Sequence, residues 1–114
     1  MNTKYTYKTI FVSIISILIL TVTSFSLSAQ DCPKVKNKKA QKKYEEALGL
    51  LRYGKYQQAT VILNEIVDDE PDYIKAWWLL GDLHSKPTNK FGNSKAAMLA
   101  YIEVVRICPA YRDY

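Results

Sequence analysis

Apolar side chains recur at intervals of three and four residues from Ala40 onward, which is the spacing of amphipathic helices. No part of this region alternates apolar and polar residues as a half-buried strand does. The sequence therefore predicts an all-α fold. Four helices are expected. The first begins near Ala40, the second begins near Tyr56, the third runs from about Tyr73 to His84, and the fourth runs from about Ser94 to Ile107.

Turn-forming residues separate these predicted helices. Gly54 supplies the backbone freedom that the end of the first helix requires. Pro71 cannot continue the second helix, and Asp72 is expected to cap the third. Asn93 or Ser94 is expected to cap the fourth.

The amino-terminal segment, residues 1–29, has the order of regions found in a secretory signal peptide. Lys4 and Lys8 precede an uncharged run at residues 10–25, and small and polar residues lead to Ala29. Because this run is shorter than the ~20 residues that cross a bilayer, we expect cleavage after Ala29. The alternative is an uncleaved membrane anchor, since lysines that closely follow an apolar segment resist translocation.

A lysine-rich leader at residues 30–39 follows the predicted signal peptide. Six lysines lie between Lys34 and Lys43, and they dominate the formal net charge of +5. Such a run is either a solvated tail or a contact for anionic lipid. Nucleic acid is not expected as a partner, because no aromatic residue interleaves these lysines to stack on bases.

The two cysteines, Cys32 and Cys108, lie far apart in the sequence and therefore lack the spacing of a metal site. An oxidising compartment would permit a disulfide between them. The alternative is two free thiols, with Cys108 packed as a small apolar residue. Lipidation of Cys32 is not expected, because it lies two positions beyond the place where a lipoprotein signal would put it.

The predicted helices form two similar pairs. The first helix of each pair is here called the leading helix and the second the trailing helix. In the leading helices, the same separation in the sequence relates Lys43 to Trp77, Tyr44 to Trp78, and Ala47 to Gly81. In the trailing helices, a slightly longer constant offset relates Gly54 to Gly92, Ala59 to Ala97, and Pro71 to Pro109. The second pair therefore carries four extra residues between His84 and Gly92.

This pattern resembles the tetratricopeptide repeat, a helix-turn-helix unit of about 34 residues. The resemblance implies two tandem repeats in a short α-solenoid, the first at residues 40–73 and the second at 74–111. Residues 112–114 would begin a third repeat. The first repeat departs from the family at Lys43 and Glu46, where a large aromatic residue and a leucine are usual.

The resemblance also implies a site for protein segments on the inner face of the leading helices. Trp77 is expected in the core, whereas Trp78 is expected in the groove. The implied groove residues are Gln41, Tyr44, Leu48, Leu51, Arg52, Lys75, Trp78 and Asp82. The alternative is that Tyr44, Leu48 and Leu51 pack against the lysine-rich leader.

The last predicted helix carries more apolar surface than one partner helix covers. We therefore expect either that the chain is the front portion of a longer array, or that this open face binds another protein or a second copy of the chain. The single histidine, His84, is expected to be a packing residue. No catalytic motif or cofactor site is present in the sequence, so an enzyme is not expected. The signal peptide, leader and repeats together look like the amino-terminal region of envelope proteins of Gram-negative bacteria, some of which also have an OmpA-like domain. That resemblance implies a periplasmic or envelope location.

Overall fold

The computed structural model describes residues 8–16 and 31–112, and all of its regular secondary structure is helical. Helix α1 covers residues 8–16. The remaining helices are α2 (Lys38–Arg52), α3 (Tyr56–Asp69), α4 (Ile74–Ser85) and α5 (Ser94–Ile107). The described residues contain no strand, so the predicted all-α class is confirmed.

Side-chain caps decide where two of the helices begin. Helix α2 begins at Lys38, slightly before the predicted position, because Oδ1 of Asn37 accepts hydrogen bonds from the first free backbone N–H groups. Asn93 caps α5 in the same way. The predicted cap at Asp72 is wrong: α4 has Tyr73 at its N-cap position and no side-chain cap.

The turn between α2 and α3 depends on Gly54, as predicted. This glycine has a φ of 67°, in the left-handed region that other residues rarely adopt. Its N–H donates to the carbonyl of Leu51, and the N–H of Lys55 donates to that of Leu50. The last carbonyls of α2 are thereby satisfied, and the chain reverses into α3.

Consecutive helices pack against one another, α2 on α3, α3 on α4 and α4 on α5. Ala47, Ala59 and Ala76 are fully buried, and their small side chains let the helix axes approach closely. Leu63, Ile66 and Leu83 are the largest fully buried side chains, and each stabilises the fold by roughly 1.5–3 kcal/mol through its burial. The core is therefore shared between both helical pairs.

Helices α4 and α5 approach each other closely at Gly81. A Cβ atom at this position would lie 2.6 Å from Cε1 of Tyr101, well inside van der Waals contact. The ring of Tyr101 in turn meets the edge of Trp78, with 5.3 Å between ring centroids. The absence of a side chain at Gly81 is therefore a condition for this packing.

Ion pairs on the surface connect neighbouring elements. Nζ of Lys43 lies 2.9 Å from a carboxylate oxygen of Glu65 and joins α2 to α3. The hydrogen bond from Lys43 to Glu65 raises the pKa of Lys43. Nε of Arg106 lies 2.7 Å from Glu103 on the same helix, and Nη2 of Arg106 lies 3.8 Å from Asp72, which connects α5 to the turn before α4. Because these pairs are exposed to solvent, they contribute little to stability.

The four extra residues before α5 form a loop that is fastened to the end of α4. Nδ2 of the buried Asn89 donates to the carbonyl of Leu83, and its Oδ1 accepts from the backbone N–H of Phe91. The hydroxyl groups of Tyr56 and Thr88 lie 3.2 Å apart and connect the loop to α3. The insertion is therefore an ordered part of the second helical pair.

A disulfide joins Cys32 to Cys108, with 5.4 Å between their Cα atoms. It connects the extended segment before α2 to the residue after α5. Cys108 is buried beside Ile74 and Val104, and Trp78 packs against the same cluster. The sequence left open whether the two cysteines form a disulfide or remain free thiols, and the structure contains the disulfide.

Helix α1 presents apolar side chains to solvent. Ile10, Phe11 and Val12 are each more than half exposed, and the hydroxyls of Ser13 and Ser16 donate to backbone carbonyls four residues earlier. None of the helices in the described residues is long and apolar enough to cross a membrane. The predicted cleavage position lies outside the described residues.

Candidate functional site: a groove between α2 and α4

A cavity of about 580 Å³ lies where α2, the start of α4 and the segment before α2 meet. Its apolar part is formed by Tyr44, Leu48, Tyr73 and Ile74, and polar side chains stand at its edge. The rings of Tyr44 and Tyr73 are stacked, with 5.6 Å between their centroids. An apolar cavity with a polar edge has the size and composition of a site for a small ligand or a partner's side chains.

Half of the predicted groove residues line this cavity. Gln41, Tyr44 and Leu48 lie together because their spacing of three and four places them on one face of α2, and Lys75 lies opposite them at the start of α4. The lining otherwise consists of Cys32, Pro33, Lys34, Val35, Glu45, Tyr73, Ile74 and Tyr111.

The other four predicted residues do not line the cavity. Leu51 is half-buried against the core, and Arg52 is exposed at the end of α2. Trp78 packs edge-on against Tyr101 and Tyr111, with centroid distances of 5.3 and 6.2 Å. Asp82 lies further along α4, with a carboxylate oxygen 3.5 Å from Nζ of Lys86.

Trp77, expected in the core, is half-buried and bridges the two apolar clusters of the structure. Its Nε1 donates to the carbonyl of Pro71 at 2.8 Å, so the ring also holds the turn before α4 in place. Trp77 thus has a packing role, with its polar edge at the surface.

Residues 32–35 form a wall of the cavity, which the predicted groove did not include. Val35 packs against the core, and its carbonyl accepts a hydrogen bond from Nε2 of Gln41 at 3.0 Å. The sequence signal for this contact is a single apolar residue, Val35, between two lysines, together with the nearby Cys32. The alternative prediction, that residues of the α2 face pack against the lysine-rich leader, therefore holds for part of the structure.

The edge of the cavity carries charges of both signs. Lys34, Lys75 and Glu45 all line the cavity, so the edge favours neither anions nor cations strongly. Tyr73 is only 6% exposed. Burial, with a smaller contribution from the negative charge of Glu45, raises the pKa of the Tyr73 phenol.

Alkaline pH is expected to destabilise the protein through Tyr73. Because the pKa of this phenol is raised in the folded state, the unfolded state releases the proton at a lower pH. The stability that the protonated phenol contributes to the folded state is therefore lost as the pH rises through the folded pKa. Denaturant unfolding followed from about pH 9 to about pH 11.5 measures the effect, since unperturbed tyrosine titrates near 10. The Tyr73→Phe variant should lose less stability than the wild type over this interval. Parallel losses in the two proteins would contradict the assignment.

A second groove, of about 650 Å³, lies along α5 where it meets the end of α4. Met98, Ile102 and Val105 line it and are each more than half exposed. Nδ1 of His84 is buried at this groove and has no hydrogen-bond partner among the described residues. The apolar outer face predicted for the last helix is therefore present.

The described residues contain no group of three or more His, Cys, Asp or Glu side chains that could hold a metal ion. No protein-family model, curated protein or solved structure matches the chain. The geometry of the two grooves is therefore the basis for inferring a function.

Proposed function

We propose that this protein is an exported scaffold of the tetratricopeptide type that binds protein segments in the cell envelope of a Gram-negative bacterium. The observation that carries the proposal is the cavity at the inner face of α2 and α4, where Gln41, Tyr44, Leu48 and Lys75 converge. An aromatic and aliphatic surface with a polar edge is suited to anchoring one or two side chains of a partner.

The packing of the helices supports the same proposal. Two helical pairs follow one another, and α3 of the first pair packs against α4 of the second. Fully buried alanines at positions 47, 59 and 76, with Gly81, allow these close approaches. A solenoid built in this way has an inner face for partners and an outer helix whose apolar side is left for a neighbour. The exposed Met98, Ile102 and Val105 suit that apolar side of the outer helix, which would contact a partner or a second copy of the chain.

Site-specific photo-crosslinking tests the inner groove. A photoreactive residue at Gln41 is expected to capture a discrete envelope protein, because Gln41 lines the cavity in which we propose that the segment binds. The matched control carries the same residue at the exposed Gln57 on α3, where no capture of that protein is expected. Adding Tyr44→Ala and Leu48→Ala should reduce capture at Gln41 at least tenfold. Equal capture from both positions would contradict the proposal, provided that far-ultraviolet circular dichroism shows each variant to be folded.

A second candidate function is a membrane-tethered envelope component, and the exposed apolar side chains of α1 favour it. The hydroxyls of Ser13 and Ser16 donate to carbonyls of their own helix, so they need no water. Lys34, Lys36, Lys38 and Lys39 are exposed on the leader and suit anionic lipid headgroups. The mass of the protein recovered from the envelope separates the two candidates. Loss of residues 1–29 removes the tether, whereas an intact chain retains it.

A further inference from the structure

Residues 32–36, here called the strap, form an extended segment that is fastened along its length. Cys32 is bonded to Cys108 at one end, and Asn37 caps α2 directly after the other end. Between these points Val35 packs against the core and accepts the hydrogen bond from Gln41. The strap is thus held by one covalent bond, one apolar side chain and one side-chain hydrogen bond.

The strap contacts the groove in the way that an extended peptide would. It has neither helix nor strand, it places an apolar side chain at the cavity, and a groove residue donates a hydrogen bond to its backbone carbonyl. Cys32, Pro33, Lys34 and Val35 all line the cavity beside Tyr44 and Leu48. A partner segment that lies along the strap's own path beside Tyr44 and Leu48 would have to displace these four residues, whereas a single side chain that enters the cavity would not.

We propose that the strap is a built-in competitor for the groove and that the Cys32–Cys108 disulfide holds it in place. Reduction of this bond then opens the groove to an extended segment that carries an aliphatic side chain between basic residues, as the strap itself does. This inference rests on the function proposed above, since it specifies the kind of segment that binds and the condition under which it binds.

The disulfide has the largest influence because it tethers the strap at Cys32, in addition to the covalent continuation of the strap into α2 after Asn37. A segment tethered at one end competes at an effective concentration in the millimolar range, and a second tether at a matching distance raises that value further. Without the disulfide, the packing of Val35 and the hydrogen bond from Gln41 still oppose release, but Gln41 is exposed to competing water. A partner segment then meets a weaker competitor.

The opening step needs a dithiol reductant. Its thiolate attacks Sγ of Cys32, the less buried of the two cysteines, and the bond to Sγ of Cys108 breaks. The second thiol of the reductant then displaces Cys32 from the mixed disulfide. The reductant leaves as a disulfide after giving up two electrons, and both cysteines end as protonated thiols.

Fluorescence anisotropy of a labelled peptide tests the competition. The probe has the sequence of residues 31–37 with serine in place of cysteine, and it is titrated with the full chain. We expect the chain reduced by dithiothreitol, and the Cys32→Ser/Cys108→Ala variant without reductant, to bind the probe at least tenfold more tightly than the oxidised chain. Equal affinities in the oxidised and reduced states would overturn the proposal.

Two further variants separate this proposal from the function on which it rests. Val35→Asp removes the apolar contact of the strap while the disulfide remains, and it should bind the probe at least threefold more tightly than the oxidised wild type does. Because this variant is measured without reductant, the test holds even if reduction unfolds the chain. Tyr44→Ala with Leu48→Ala, placed in the reduced chain, should abolish binding. If the oxidised, reduced and Val35→Asp chains bind the probe with one affinity and the Tyr44→Ala/Leu48→Ala chain does not bind it, the strap is no competitor although the groove binds segments. If the probe binds no form, the groove function itself fails.

The position of the strap is measured independently of any ligand. In the oxidised chain, the chemical shifts of the Val35 methyl groups are expected to differ from those of an unstructured valine, because the side chain packs near the rings that line the cavity. On reduction they should move to the values of an unstructured valine while the signals of Leu63 and Leu83 in the core stay in place. Val35 signals that do not move would overturn the proposal whatever the probe does.

Discussion

Reduction of the Cys32–Cys108 disulfide is expected to lower the free energy of unfolding by about 2 to 4 kcal/mol. The bond closes a loop between cysteines with a sequence separation of 76, and its loss restores a large amount of conformational entropy to the unfolded chain. For a domain of this size the melting temperature should fall by about 10 °C or more. Urea unfolding with and without a reductant measures the difference directly.

The Cys32→Ser/Cys108→Ala variant is the control for this measurement. It should unfold at the urea concentration of the reduced wild type, and added reductant should leave its transition unchanged. A loss of less than about 1 kcal/mol in the wild type would show that the bond constrains the unfolded chain far less than its loop length implies.

Gly81→Ala is expected to destabilise the protein by about 2 kcal/mol, although alanine is the better helix former. The new methyl group would lie 2.6 to 2.8 Å from three carbon atoms of the Tyr101 ring. Moving the ring away would disturb its edge-on contact with Trp78, which also lies on α4. Thermal and urea unfolding of the variant measure the loss.

Gly49→Ala is the matched control, since Gly49 also lies within a helix but has open space around the position of its missing Cβ atom. This change should stabilise the protein by about 0.5 to 1 kcal/mol. The two substitutions are thus expected to have opposite signs. In a Tyr101→Ala background the cost of Gly81→Ala should largely disappear, and a cost that persists there would assign the effect to some other contact.

The positions of the helices could be predicted well because local patterns determine them. The fourth predicted helix has the observed bounds, Ser94 to Ile107, since a capping residue and Cys108–Pro109 mark its two ends. Gly54 adopts the positive φ that a helix end requires. The predicted start of α2 is too late, because the capping residue Asn37 lies inside a run of lysines that carries no apolar signal.

The candidate site could be predicted only in part. Gln41, Tyr44 and Leu48 share a helix face, so their common position follows from helical spacing alone. Trp78 instead turns towards Tyr101 and Tyr111, and that choice depends on the path of the chain after α5. The contribution of the strap depends on Val35 and on a disulfide between distant residues, neither of which a periodic pattern encodes.

The link between Cys32 and Cys108 also determines how the protein responds to mechanical force. Tension applied between Asp31 and Arg112 follows the shortest covalent path, which crosses the two sulfur atoms and bypasses residues 33–107. All four packed helices, α2 to α5, lie within the bypassed part of the chain and carry none of the load. A pull between Asp31 and Arg112 would therefore stretch only a few residues, whereas the same pull on the reduced chain would unravel the helices.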